Sequence, residues 1–76
     1  MAEVRAEMVA NVWKVVATEG DHVDDGDILV ILESMKMELS ITAPHAGTVD
    51  GLELKPGDRV NRGQPVLAVH AHEGAG

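Results

Sequence analysis

Glu33-Ser34-Met35-Lys36-Met37-Glu38 joins two of the most regular apolar segments of the chain, and its reading decides the fold. Before it, Ile28-Leu29-Val30-Ile31-Leu32 is a run of five branched apolar residues, which reads as a strand buried in a sandwich core rather than as a helix. After it, Met37, Leu39 and Ile41 alternate with Glu38, Ser40 and Thr42, the period-two pattern of a strand with one face inside and one in water. The connection is therefore a hairpin. With Ser34 and Met37 as the last paired residues, its loop is Met35-Lys36. Two-residue loops favour turns that need positive φ, a demand normally met by Asn-Gly or Asp-Gly. Met and Lys are costly there, which points to a function that needs their side chains. Against it stands the plain reading that Lys is ordinary at an exposed turn and that Met fills gaps in cores.

The composition narrows the function classes. At 76 residues the chain makes one small domain, of a size at which a single core is marginal. It has no cysteine, which excludes disulfide staples, thiolate metal sites and thiol catalysis and fits a reducing compartment. Hydrophobic residues make up 45% of it, yet Trp13 alone is aromatic, so the core must be built from Val, Leu and Ile, a composition that suits strands. Six Lys and Arg against thirteen Asp and Glu give a net charge of -7, the wrong sign for a nucleic-acid partner or an anionic membrane. No apolar run approaches a membrane span, and Met1-Ala2-Glu3-Val4-Arg5 lacks a basic region followed by an apolar one, so the expected location is the cytoplasm. The stretch from His70 to Gly76 loses apolar periodicity after Val69, and residues 71–76 are expected to fray.

The chain repeats itself. Displaced by 37 positions, Glu3 to Glu33 falls on Ser40 to His70. The match is positional: Val4 with Ile41, Ala6 with Ala43, Val12 with Val49, Gly20-Asp21 with Gly57-Asp58, Val23 with Val60 and Gly26 with Gly63. Each copy reads as short strand, loop, strand, Gly-Asp turn, brief apolar pair, second Gly turn and longer apolar strand. The apolar phase slips between Val12 and Val15 and between Val49 and Leu52, which predicts a bulge or sharp twist in each second strand. Two such four-stranded halves, each with an apolar face it cannot bury alone, predict an all-β fold. The form expected is a flattened eight-stranded antiparallel barrel or sandwich with approximate two-fold symmetry, closed where the first and last strands pair.

Other clusters of chemically active residues fit no site. Asp21, Asp24, Asp25 and Asp27 surround Gly26, but a calcium-loop alignment would put Val23 and Leu32 at ligand positions. His70 and His72 share a strand face without further ligands, His22 and His45 fall in separate turns, and no local motif suggests a catalytic triad or a carboxylate pair.

Glu33-Ser34-Met35-Lys36-Met37 resembles the Glu-Ala-Met-Lys-Met motif of the biotinyl and lipoyl attachment domains, biotin carboxyl carrier type. Ala43-Pro44-His45-Ala46-Gly47-Thr48-Val49 is similar to the Ala-Pro-x-x-Gly-x-Val segment of that family, and Gly57-Asp58-Arg59-Val60 to its Gly-Asp turn. The resemblance covers nearly the whole chain and implies a single attachment domain over residues 1–76, with a body at about 3–70. It implies a carrier that catalyses nothing itself, with covalent biotin on Lys36 and with Met35 and Met37 as flanking recognition residues. The implied partners are biotin protein ligase and the biotin carboxylase and carboxyltransferase of a biotin-dependent carboxylase; no metal, nucleic acid or membrane is implied. Two alternatives remain open: a lipoyl carrier of a 2-oxo acid dehydrogenase or glycine cleavage complex, and an unmodified interaction module of the same fold. Lipoyl domains usually place Asp before the lysine and Ala after it, whereas here both neighbours are Met. Three departures stand out. Ser34 replaces the family's Ala; Glu7 and Ala10 take the places of Pro44 and Gly47 in a loop expected to lie far from the tip; and the protruding thumb of some carriers is missing, which implies an arm free of intramolecular contact.

Overall fold

A computed structural model of the chain describes residues 2–71, with side chains from Glu3 onward. The fraying expected at residues 71–76 and the side chain of His72 thus fall at or outside the described residues. Eight strands follow in order: β1 (Ala2–Arg5), β2 (Ala10–Val15), β3 (His22–Val23), β4 (Ile28–Ser34), β5 (Met37–Thr42), β6 (Gly47–Asp50), β7 (Arg59–Val60) and β8 (Pro65–His70). They form two four-stranded antiparallel sheets, ordered β1-β8-β6-β3 and β5-β4-β2-β7. The fold is the expected all-β sandwich of two quasi-symmetric halves.

The symmetry extends to individual residue pairs. Leu39, Ser40, Ile41 and Thr42 pair with Leu32, Ile31, Val30 and Ile28; in the other sheet Ala2, Glu3, Val4 and Arg5 pair with Val69, Ala68, Leu67 and Pro65, the same register carried to the other repeat, with the same skip. Pairing across the chain ends is therefore the counterpart of the central hairpin. The sheets, however, are not the repeats: each draws two strands from either half, and the two-fold exchanges one sheet for the other. Reciprocal backbone bonds lock this exchange. Val12 N–H donates to the Asp58 carbonyl (2.6 Å) and Val49 N–H to that of Asp21 (2.9 Å).

The core follows the same pairing. Val12 and Val49, Val23 and Val60, Leu29 and Val66, Val30 and Leu67, and Leu32 and Val69 are all buried, and no described polar side chain is buried with them. Each such aliphatic side chain contributes about 1.5–3 kcal/mol on burial. The aspartates form the turns. Thr18 N–H donates to Asp21 Oδ2 (2.8 Å) and Asp24 N–H to Asp27 Oδ2 (2.9 Å), and Asp58 and Gln64 do the same for Lys55 and Asn61. These side-chain turns give the Asp21 and Asp27 carboxylates a structural role.

Two expectations need correction. The bulge is present in β2 between Val12 and Lys14, where Trp13 projects half-exposed into solvent. In the second repeat, by contrast, pairing stops at Asp50 and Gly51 turns the chain away at φ 75°. Lys14, at the matching position, has no positive φ and so keeps β2 in its sheet. Ile28, at the head of the apolar run, is 44% exposed, because the skip in β4–β5 pairing between Ile28 and Val30 turns it outward.

Candidate functional site

The β4–β5 hairpin closes as its sequence requires, with Ser34 opposite Met37 and a two-residue loop. Met35 (φ 49°) and Lys36 (φ 67°) both lie in the left-handed region and are the only described non-glycine residues that do. That geometry matches the right-handed twist of the flanking strands, which is why a tight hairpin imposes it on whichever residues occupy the turn. Each such residue stores strain of about 1–3 kcal/mol. The strain is held by six residue pairs down the β4–β5 ladder.

The turn stands clear of the body. Lys36 is exposed, Met35 is 92% exposed and Met37 60% exposed. The packing reading of Met37 is therefore excluded, although Leu39 and Ile41 on the same strand face do pack against the core. Strand β5 simply extends beyond the end of the sandwich. The three side chains that the sequence singles out meet at one tip: a primary amine between two unbranched thioether chains, free of any crowding partner.

Below the tip, Glu33 and Glu38 sit directly opposite one another and both are exposed, a like-charge pair tolerated only because water screens it. Asn11 is the next neighbour of Glu33, and Arg59 of Asn11, so a polar row crosses this face of the sheet. The Glu7–Val9 loop, expected to lie far from the tip, instead lies next to it. Ser34 Oγ donates to the Val9 carbonyl at 3.1 Å, which seats that loop against the base of the hairpin. A hydroxyl one residue before the turn was the available signal; its partner, 25 positions upstream, was not.

At the far end of β8, His70 Nε2 donates to Asp50 Oδ2 at 2.8 Å. That bond holds the Asp50 carboxyl below its ordinary range. No group of three or more His, Asp or Glu among the described residues could hold a metal ion. Chemically, the tip can offer a nucleophilic amine to an acyl donor.

Comparison with known proteins agrees with this geometry. The biotin/lipoyl family model, described as biotin-requiring enzyme, matches residues 2–71. A protein of Mycobacterium leprae named as a homolog of biotinylated protein TB7.3 is 47% identical over 70 residues, covering 91% of this chain and 99% of that protein. A biotin/lipoyl attachment protein of Bacillus subtilis is 44% identical over 64 residues, covering 84% of this chain and 88% of its own length. Among solved structures, the urea carboxylase of Kluyveromyces lactis superposes with a TM-score of 0.83 at 36% identity, over 91% of this chain and 6% of that protein.

Proposed function

The chain belongs to the biotin/lipoyl family, and from that premise we propose that it is a biotin carrier whose Lys36 bears the cofactor as an amide. The observation that carries this reading is the turn itself, a lysine held in the left-handed region at an exposed tip between Met35 and Met37. A biotin protein ligase would supply the activated acyl group. The Lys36 Nζ attacks its carbonyl carbon, the C–N bond forms, the activating group leaves with the electron pair, and the nitrogen gives up a proton. The lysine loses its charge in this step, and its four-carbon stem becomes the root of a long flexible arm.

In this reading the arm accepts a carboxyl group at a biotin carboxylase and delivers it at a carboxyltransferase. Tethering raises the effective concentration of the cofactor at both sites without any new contact. The chain spans almost the whole of its mycobacterial relative but only a small part of urea carboxylase, so both partner enzymes belong to the proposal. Intact mass of the protein purified from its native cell tests the reading. A single added biotin amide is expected; a lipoyl amide, or unmodified protein when biotin and ligase are plentiful, would overturn it.

A further inference from the structure

Strands β1 and β5 each end a sheet, and neither hydrogen-bonds to the other. A groove of about 300 Å³ lies at this open seam, floored by Val4, Met8, Leu32, Leu39 and Ile41, with the charged Arg5 and Glu7 also in its lining. Its volume is at the lower bound of small-molecule sites, about 300 Å³, and its floor is apolar as such sites are. Met8 is 44% exposed there. On the wall, β5 presents the unpaired backbone N–H and C=O groups of an edge strand, together with Ser40 and Thr42.

The groove is within reach of the tip by two routes. Along β5, Leu39 is three residues from Lys36, about 10 Å at strand spacing. Across the hairpin base, the Ser34–Val9 hydrogen bond brings the loop carrying Met8 beside the residue that precedes the turn. A four-carbon lysine stem extended by an amide and a valeryl chain spans more than that distance. A second cavity, bounded by Asn11, Glu33, Met35 and Arg59, adjoins the turn but is smaller, about 190 Å³, and lacks the floor of large aliphatic side chains on which a thioether ring could lie.

We propose that the biotinyl head carried by Lys36 rests in the β1–β5 seam when no enzyme holds it. The thioether ring lies on Met8, Leu39 and Ile41, and the ureido group meets the β5 edge. A cyclic urea offers two N–H donors flanking one C=O acceptor, the pattern with which a neighbouring strand would pair an edge. The Arg5 guanidinium does not compete for the ureido oxygen, since it donates to the Gly63 carbonyl at 2.7 Å and pairs with Glu3. In a chain without a thumb, the seam then supplies the shelter that the sequence alone does not suggest. The site is shallow and open, so the arm leaves it readily for a partner.

This inference rests on attachment at Lys36, and the experiment separates the two. Protein is biotinylated with ligase, and intact mass first confirms the amide; failure at that step counts against the attachment reading alone. Nuclear Overhauser contacts are then sought between biotin ring protons and the methyl groups of Met8, Leu39 and Ile41 in the holo protein. Contacts to these methyls, with shift changes extending from the turn into β5 and the Met8 loop, are expected. Shift changes confined to residues 34–38, with no ring contacts, would overturn the proposal. As a second readout, Met8→Glu should raise the rate of avidin capture by about two- to tenfold, because only the released fraction of arms is competent to bind. Equal capture rates for parent and variant would likewise contradict it.

Discussion

Gly47 passes so close to His70 that a Cβ placed on it would stand 2.7 Å from the His70 carbonyl carbon and 2.9 Å from Val69 Cγ1. The nearest atoms belong to backbone, which cannot swing aside as the end of a flexible side chain would. Gly47→Ala is expected to cost about 1–3 kcal/mol, as overpacking does. Ala10 occupies the matching place in the first repeat, where a methyl group is already accommodated, so Ala10→Gly should cost only about 0.5–1 kcal/mol. Thermal unfolding of both variants checks the contrast. Equal losses would mean that the halves are packed alike at this point.

The turn holds strain that a better turn-former would relieve. Met35→Asn puts a residue tolerant of the left-handed region where φ is 49°, and should stabilise the fold by about 1 kcal/mol. Thermal unfolding and ligase turnover, measured together, show whether Met35 is kept for recognition. A higher melting temperature with slower modification is expected; a lower melting temperature would contradict the strain account.

Exchange of Met35 with Lys36 tests position against mere availability of an amine. Both residues are exposed and both have positive φ, so stability should change by about 0.5 kcal/mol or less. The amine nevertheless leaves from a different step of the turn. Ligase turnover should fall by about tenfold or more, the equivalent of about 1.4 kcal/mol in the barrel-to-ligase transition state. Turnover at the parent rate would remove the turn geometry from the explanation.

Several of these residues could be identified from the sequence and several could not, for physical reasons. The hairpin, the period-two strands and the repeat were legible because strand alternation and Gly-Asp turns are local signals, and Leu39, Ile41, Asp21 and Asp58 all follow them. The mixing of the repeats between sheets was not, since it depends on pairings between distant strands such as Ala10 with Val60. The exposure of Met37 comes from the overhang of β5 beyond the core, which no alternation pattern records. Likewise the Ser34–Val9 bond requires the loop to have been placed first.

Acid should weaken the β6–β8 end of the sandwich. The Asp50 carboxyl is held below its ordinary value of 3.8, chiefly by the hydrogen bond from His70. A carboxylate with a depressed folded-state pKa contributes stability above its unfolded value and loses it as the pH falls through the folded one. The contribution is therefore present at neutral pH and disappears only below about pH 4, the ordinary aspartate range. His70→Ala should be less stable than the parent at pH 7, with the gap narrowing below pH 4, as read by denaturant unfolding. A gap independent of pH across that window would assign the loss to packing.

Site-resolved modification tests the central claim most directly. The chain has three lysines, Lys14, Lys36 and Lys55, and all are exposed. Protein treated with biotin protein ligase, biotin and ATP would be digested and each lysine peptide weighed. The account predicts one biotin amide on Lys36, with Lys14 and Lys55 untouched. Biotin on Lys14 or Lys55, or spread over all three, would contradict it.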